Sequence, residues 1–192
     1  MTVIKSRETR EVATRFGTIV AFEDDLITKQ ILEFGNHTRP EFAFATSVLQ
    51  NRDRVFDLGA HIGTFSLVAL EKIGPYGNLL AVEGNDLTHS LLAQNLAGKT
   101  PAQSINTFVG DGGDYQYVMP TDNTGAGHLV PSEETLEMHS IDQLVGQHFQ
   151  PTYIKIDVEG FEQLVITASD YIRDNTPTLY VEINGLALNR TD

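Results

Sequence analysis

The segment "VFDLGAHIGTFSLVAL", residues 55–70, constrains the fold of this chain more than any other stretch. It begins as an apolar strand, passes through Gly59 and Gly63, and continues as an apolar helix. Glycine lets a backbone turn sharply and approach a ligand closely, while the N-terminus of the following helix attracts a negatively charged group. A strand, a glycine turn and a helix in this order therefore predict a ligand-binding turn in an α/β protein.

The remainder of the chain repeats this alternation of strand and helix. Apolar runs predict five strands, and helical periodicity predicts four helices. The strands are expected at 55–58, 79–82, 105–109, 153–156 and 178–183, and the helices at 63–73, 86–97, 141–147 and 160–169. Strands that are apolar on both faces are typical of parallel sheets covered by helices on both sides. The predicted fold is a doubly wound, Rossmann-like parallel α/β sheet.

Two stretches before the third predicted helix have sequence patterns that predict local structure. Between 111 and 134 the chain is rich in Gly, Pro, Asn and Asp, which predicts a loop. Ser140 and Gln143 have the spacing of a capping box, which predicts that a helix begins directly after Ser140.

The N-terminal part of the chain precedes the strand and helix alternation. Residues 14–22 alternate like a hairpin or an edge strand, and 23–35 read as a short helix with Gly35 at its C-terminal cap. Pro40 is placed to begin another helix. We expect one domain over 1–192, with an N-terminal hairpin and helices over 1–50 and a cofactor-binding α/β core over 51–192.

Composition disfavours several partners. The chain has 26 Asp and Glu against 13 Lys and Arg, a net charge of −13, so phosphate-rich nucleic acids and anionic membranes would be repelled. No apolar run approaches the 18 residues of a membrane span, and no cysteine is present. The six histidines show no metal-ligand spacing, so we expect no metal site. With a charged N-terminal segment and no export signal, the expected location is cytoplasmic.

The glycine turn also limits the choice of ligand. Open parallel sheets bind ligands at the carboxyl ends of their strands, near the point where the strand order reverses. A dinucleotide fingerprint needs a bare glycine where this chain has His61, whose side chain would obstruct a pyrophosphate. A dinucleotide oxidoreductase is therefore a disfavoured alternative, and a cofactor that carries a carboxylate fits better.

Two further strand ends supply acidic residues. Glu83, followed by Gly84, lies 20 positions after Gly63, where a carboxylate can accept hydrogen bonds from ribose hydroxyls. Asp111, followed by Gly112, comes after the third strand, where it could accept a hydrogen bond from an adenine amino group. A turn for a carboxylate, a carboxylate for a ribose and an acceptor for adenine together describe S-adenosylmethionine.

The motifs "VFDLGAHIGTFSL", "AVEGN", "YIKIDVEGFEQLVI" and "YVEIN", in this order and spacing, resemble the FkbM family of S-adenosylmethionine-dependent methyltransferases. The resemblance covers residues 37–184, and "IKIDVEG", residues 154–160, is its most specific part. It implies a class I methyltransferase fold that usually methylates a hydroxyl of a sugar or another small molecule. Small-molecule or glycan acceptors are the partners it implies.

The resemblance also assigns roles to individual residues. It implies that Asp57, Gly59 and Gly63 shape the methionine end of the pocket, and that Asp157 lies beside the sulfonium. It gives Glu83 to the ribose and Asp111 to the adenine. Together with the motifs, it yields this set of predicted cofactor-binding residues: Asp57, Gly59, His61, Gly63, Glu83, Gly84, Asp111 and Gly112. An alternative for Asp57 is a carboxylate bonded to the amides of its own turn.

Methyl transfer to an alcohol needs a group that accepts the hydroxyl proton. Asp157 and Glu159 are the candidate catalytic residues, ahead of His61 and His128. Two carboxylates close together would raise one pKa toward neutrality. Their structural alternative is bonding to the helix that follows, and Lys155 is expected to pair with an acidic neighbour.

The C-terminus departs from the class I pattern. Such methyltransferases usually end with an antiparallel strand pair after the fifth strand, whereas eight residues follow Asn184 here. A short sheet, a truncated chain or a homodimer partner covering the exposed sheet edge would each account for this. A non-catalytic module that binds S-adenosylmethionine or S-adenosylhomocysteine is therefore the alternative to the methyltransferase.

Overall fold

A five-stranded parallel sheet lies at the centre of the computed structural model, which describes residues 7–34 and 40–183. In chain order the elements are β1 (Thr9–Thr14), β2 (Gly17–Phe22), α1 (Leu26–Phe34), α2 (Pro40–Ala45), β3 (Arg54–Leu58), α3 (Thr64–Ile73), β4 (Asn78–Glu83), α4 (Asp86–Leu96), β5 (Ala102–Asn106), β6 (Phe108–Val109), β7 (Gly113–Val118), β8 (His128–Leu136), β9 (Met138–His139), α5 (Ile141–Gln147), β10 (Tyr153–Ile156), α6 (Glu162–Thr167), α7 (Asp170–Asn175) and β11 (Thr178–Val181).

The strand order of the central sheet is β11-β10-β3-β4-β5, and every neighbouring pair is parallel. The order reverses between β3 and β10, because β4 and β5 extend the sheet on one side of β3 while β10 and β11 extend it on the other. Such a reversal leaves a crevice at the carboxyl ends of the two central strands. The predicted doubly wound fold is confirmed.

Alternate residues of the central strands feed two hydrophobic cores, one on each face of the sheet. Val55 and Leu79 belong to a core that includes apolar side chains of α3, α4 and the N-terminal hairpin. Phe56 and Leu80 belong to the opposite core, which α5 and α6 cover. Because both faces are buried, these strands read as continuous apolar runs in the sequence.

The predicted strand at 105–109 is wrong in its bounds. β5 ends at Asn106, and Phe108–Val109 form the separate strand β6, which pairs with β9 outside the central sheet. At the break, the Thr107 hydroxyl lies 2.8 Å from His139 Nδ1, and the Thr107 N–H donates to the Glu83 carbonyl. Ile105, Phe108 and Val109 lie close together in the sequence, so an assignment from apolar residues alone merges the two strands.

The predicted loop at 111–134 is also wrong over most of its length. β7 and β8 form an antiparallel hairpin with a bulge between Asp114 and Tyr115. Tyr115 and Tyr117 alternate with exposed residues and pack against the core covered by α5 and α6. Turn-forming residues dominate the composition of this stretch because they lie at the base and the tip of the hairpin.

Helix positions are confirmed except at the C-terminal end. The capping box on α5 is formed, with both Ser140 and Gln143 side chains bonded to backbone N–H groups. The helix predicted at 160–169 is instead two helices, α6 and α7, and Gly160 precedes them with a φ of +103°. Ser169 separates the two because its hydroxyl caps α7.

At the N-terminus, β1 and β2 form the predicted hairpin, although it spans residues 9–22 and not 14–22. α1 lies within the predicted helix, α2 begins at Pro40 as predicted, and the expected cap at Gly35 lies outside the described residues. In the described part of the chain, no helix has the length and apolar character needed to cross a membrane.

Candidate functional site

A cavity of about 270 Å³ lies where β3, β4 and β10 end, at the reversal of strand order. Its wall also includes residues from β7, from the N-terminal helices and from the tip of the β7–β8 hairpin. The lining residues of the three strand ends are Gly59, Ala60, His61, Thr64, Phe65, Val82, Glu83, Gly84, Lys155, Asp157, Val158 and Glu159. The turns that carry the sequence motifs therefore meet in one cavity.

Six of the predicted site residues line this cavity: Gly59, His61, Glu83, Gly84, Asp157 and Glu159. Gly63 does not line it and instead begins α3 with a φ of +92°. Asp57 is fully buried beneath the cavity, where its carboxylate accepts a hydrogen bond from the Ser66 hydroxyl. The structure thus brings together residues from all four sequence motifs, since Glu182 of "YVEIN" also lines the cavity, and it places Asp57 and Gly63 in supporting positions.

Gly59 lies where the turns after β3 and β10 touch. A Cβ at Gly59 would come within 1.8 Å of the Asp157 carbonyl oxygen, and the glycine φ is +77°. The N–H groups of Gly59 and Ala60 both donate to the Val82 carbonyl at 2.9 Å. These contacts fix three strand ends against one another, and a side chain at Gly59 is excluded.

The Glu83 carboxylate ties the end of β4 to the glycine turn. Its Oε2 accepts from the His61 N–H at 2.8 Å, and its Oε1 accepts from the Asn85 N–H and the Thr88 hydroxyl, each at 2.9 Å. Each carboxylate oxygen can accept about two hydrogen bonds, so Oε2 retains capacity for another donor in the cavity.

His61 has a left-handed backbone, with a φ of +51°. Its Nε2 lies 2.7 Å from the Thr124 hydroxyl oxygen. Burial lowers the pKa of the imidazole, and the nearby carboxylates of Glu83 and Asp25 offset this only in part. The ring is therefore neutral at pH 7 and serves as a hydrogen-bonding group.

Lys155 connects the two central strand ends beneath the cavity. The parallel register places it beside Asp57, and its Nζ lies 3.3 Å from Asp57 Oδ1 and 3.1 Å from Asp157 Oδ2. The Nζ also donates to the Gly59 carbonyl at 2.8 Å. Burial alone would lower the pKa of Lys155, but the Asp157 and Asp57 carboxylates outweigh it and raise the pKa. The expected pairing of Lys155 with acidic neighbours is confirmed.

Carboxylates gather at the ends of β10 and β11. Asp157, Glu159 and Glu182 all line the cavity. Burial raises the pKa of Glu159 to about 8, and repulsion from Asp157, Glu182 and Glu162 adds to this effect. Glu159 is therefore a carboxyl group that exchanges its proton near neutral pH, which suits acid–base chemistry.

Glu162 holds the acidic turn in place, and the sequence analysis missed this role. Its side chain is 2% exposed, and its Oε1 accepts from the N–H groups of Val158 at 3.1 Å and Gly160 at 2.9 Å. An acidic residue in the first turn of a helix, two positions after a glycine, is the signal that could have identified it.

A segment at the tip of the β7–β8 hairpin, residues 122–127, is here named the cover loop. Asn123, Thr124, Gly125, Ala126 and Gly127 of this loop all line the cavity. A Cβ at Gly127 would lie 1.8 Å from the Tyr117 hydroxyl oxygen, so the loop packs directly against β7. Its position depends on tertiary contacts, and no local sequence signal indicates it.

Asp111 and Gly112 do not reach the cavity. Both are exposed, and Asp111 lies at a shallow depression beside Ser140 and Ser169. Thr107 and Phe108 line the cavity at this strand end instead. Gly84 packs against the Phe108 ring, where a Cβ would come within 2.2 Å of a ring carbon. Within residues 7–34 and 40–183, no group of three or more His, Asp or Glu side chains is arranged to hold a metal ion.

Comparison with known families and structures is consistent with this architecture. A family model described as the methyltransferase FkbM domain matches residues 57–191, more than half of the chain. A search of curated proteins gives no match.

Among solved structures, the FkbM methyltransferase from Methylobacillus flagellatus KT is similar, with a TM-score of 0.50 and 20% identity over 74% of this chain and 37% of that one. The precorrin-6y C5,15-methyltransferase from Geobacter metallireducens GS-15 has a TM-score of 0.51 and 16% identity over 80% and 68% of the two chains. At 20% and 16% identity, these structural similarities show the fold alone. The present chain spans little more than a third of the length of the Methylobacillus protein.

Proposed function

The chain belongs to the FkbM family of methyltransferases, and on that premise we propose that it transfers a methyl group from S-adenosylmethionine to a hydroxyl of a sugar or another small molecule. The observation that carries this proposal is the meeting of the Gly59 turn, the Glu83 carboxylate and the acidic turn at Asp157 and Glu159 in one cavity.

The residues of the cavity fit S-adenosylmethionine, which the family uses. Glu83 Oε2 can accept a hydrogen bond from a ribose hydroxyl. Thr64 and Phe65 bring the first turn of α3 to the cavity, where the helix N-terminus suits the methionine carboxylate. Phe108 and Tyr117, with ring centroids 5.4 Å apart, offer an apolar surface for the adenine.

The role proposed for Asp111 at the adenine has less support than the roles of Thr107 and Phe108. Asp111 is exposed and lies outside the cavity. Thr107 and Phe108 occupy the corresponding strand end and line the cavity. We therefore propose that the adenine lies beside Thr107 and Phe108, with Gly84 giving the backbone of β4 close contact with the Phe108 ring.

The two carboxylates of the acidic turn, Asp157 and Glu159, have different roles in this proposal. When bound, S-adenosylmethionine supplies a methyl group that its sulfonium activates for in-line displacement. Asp157 forms an ion pair with Lys155, with 3.1 Å between Lys155 Nζ and Asp157 Oδ2, and its carboxylate suits a position facing a cation. Glu159, whose pKa is about 8, accepts the proton of the acceptor hydroxyl. Glu162 orients both by fixing the backbone of the turn.

Calorimetry with S-adenosylmethionine, followed by product detection over a panel of glycans and small alcohols, tests the proposal. We expect cofactor binding and transfer of an isotopically labelled methyl group to at least one hydroxyl-bearing acceptor. Binding with no transfer to any member of a broad panel would favour the non-catalytic module. Tight binding of NAD with none of S-adenosylmethionine would overturn the cofactor assignment.

Replacing Glu83 by Gln is expected to weaken S-adenosylmethionine binding by about 1.5–3 kcal/mol, because a charged acceptor of ribose hydroxyls is lost. Calorimetric titration measures the change. Asp86→Asn is the matched control, since it removes a neighbouring carboxylate at an exposed position on α4 that does not line the cavity. Equal affinity in the Glu83 variant and the wild type would contradict the ribose assignment.

A further inference from the structure

We propose that Asp25, in the N-terminal segment that precedes the family match, is a positioning residue that completes the cofactor site by fastening the cover loop over the glycine turn. This inference rests on the proposed function. It implies that the region matched by the family model, which begins at residue 57, does not form the full cofactor site without residues 7–34.

Asp25 is 1% exposed, and its two carboxylate oxygens accept hydrogen bonds from two different segments of the chain. Oδ1 accepts from the Ile27 N–H at 2.9 Å, which caps the beginning of α1. Oδ2 accepts from the Thr124 N–H at 2.8 Å, across 99 positions of the chain. The Leu26 N–H donates to the Asp122 carbonyl at 3.1 Å, so the start of α1 holds the cover loop at two points.

Thr124 connects the cover loop to the glycine turn after β3. Its hydroxyl oxygen lies 2.7 Å from His61 Nε2, and the His61 N–H donates to Glu83 Oε2 at 2.8 Å. A continuous series of contacts therefore runs from Asp25 through Thr124 and His61 to the carboxylate assigned to the ribose. Thr124 and Asp25 are both buried, so these contacts are shielded from solvent.

The N-terminal segment also forms part of the cavity wall itself. Ile27 of α1 and Phe42 of α2 line the cavity beside the cover loop. Ile27 lies close to the loop, since a Cβ at Gly125 would come within 3.6 Å of its terminal carbon. The Asp25 side chain therefore positions both Ile27, an apolar residue of the cavity wall, and the cover loop.

Asp25→Asn leaves one acceptor oxygen where the carboxylate has two. Asn is as good an N-cap as Asp, so we expect its amide oxygen to remain on the Ile27 N–H while an NH₂ group replaces the acceptor that faces Thr124 and Arg7. In cofactor-free protein, we expect hydrogen exchange at the Thr124 amide to become roughly 10-fold faster or more, as loss of a charge-assisted hydrogen bond predicts. Affinity for S-adenosylmethionine, measured by calorimetry, is expected to fall roughly 10-fold.

The matched control is Asp24→Asn, which makes the same change at the exposed neighbouring position. It is expected to leave both exchange and affinity at wild-type values. Wild-type exchange or wild-type affinity in Asp25→Asn would overturn the inference while leaving the proposed function intact. Wild-type protein that does not bind S-adenosylmethionine would overturn the proposed function, and the inference with it.

Thr124→Val tests the same series from its other end, because the contacts that run from Asp25 to His61 pass through Thr124, and it remains informative if Asp25→Asn does not fold. The substitution keeps the Thr124 N–H bonded to Asp25 but removes the hydroxyl that contacts His61. We expect amide exchange in the cover loop to stay slow while affinity for S-adenosylmethionine falls several-fold, and Thr124→Ser to restore it. Unchanged affinity in Thr124→Val would contradict the role of the Thr124–His61 contact.

Discussion

Gly59→Ala is expected to abolish S-adenosylmethionine binding and to lower the free energy of unfolding by about 2–5 kcal/mol. The φ of +77° costs an alanine about 1–2 kcal/mol. The new Cβ would also lie 1.8 Å from the Asp157 carbonyl oxygen, so the turns after β3 and β10 must separate. Urea unfolding followed by circular dichroism measures the stability, and calorimetry measures the affinity.

Gly98→Ala is the control, because it carries the cost of a left-handed backbone without a steric clash at the new Cβ. Gly98 has a φ of +72°, and a Cβ there would meet no atom within 4 Å. This variant is expected to lose about 1–2 kcal/mol of stability and to bind S-adenosylmethionine as the wild type does. Equal losses in the two variants, with binding preserved in both, would show that the Gly59 turn does not need its close approach to Asp157.

The sequence predicted the central sheet well because its signals are local. The segment at 55–70 contains a whole strand, a glycine turn and a helix, each with its own pattern. The capping box at Ser140 likewise depends on residues three positions apart. The doubly wound fold followed from the alternation of apolar strands and helices, whereas the strand order β11-β10-β3-β4-β5 was not predicted.

The hairpin formed by β7 and β8 was missed for a physical reason. Its stability comes from packing Tyr115 and Tyr117 against the core of the sheet, including an edge-to-face contact of Tyr115 with Phe161 at 5.0 Å between centroids. The composition of residues 111–134 is dominated by the turns at the two ends of the hairpin. The alternation of half-buried and exposed residues along β7 is therefore not evident from it. The prediction that Asp111 reaches the cavity shared this weakness, since it assumed one strand where the chain forms two.

Site residues at strand ends were easier to predict than those that hold them. Glu83 is the last residue of β4, and Asp157 and Glu159 lie within three residues of the end of β10, so the sheet places them at one edge. Asp25 and Thr124 are 99 positions apart, and their contact requires the hairpin and the N-terminal segment to fold over the sheet. Such a contact has no signature in a single sequence.

Glu159→Gln is expected to lower turnover by about 10²–10⁴-fold, the contribution of a general base. In the wild type, kcat is expected to rise with pH through about 8, because Glu159 accepts a proton only in its ionised form. The variant is expected to lose this rise while binding S-adenosylmethionine normally. Rates between pH 6 and pH 10 on an acceptor identified in the panel provide the measurement.

Glu182→Gln is the matched control within the same cavity. Glu182 contributes to the raised pKa of Glu159 through repulsion, so its neutralisation is expected to lower that pKa. The rise in kcat should then move to lower pH with turnover largely retained. A loss of turnover in Glu182→Gln equal to that in Glu159→Gln would assign the proton transfer to the carboxylate cluster as a whole and contradict a single base at Glu159.

The stability of the protein offers a test of Glu159 that needs no acceptor. Its pKa is raised from an ordinary value of 4.5 to about 8, so between these values the folded state binds the proton more tightly than the unfolded state. The contribution of Glu159 to stability is therefore fully present below pH 4.5 and is lost as pH rises toward 8. Gln carries no such proton, so Glu159→Gln is expected to be more stable relative to the wild type at pH 9 than at pH 4. Urea unfolding at the two pH values measures the difference, and the same relative stability at both would contradict a raised pKa at Glu159.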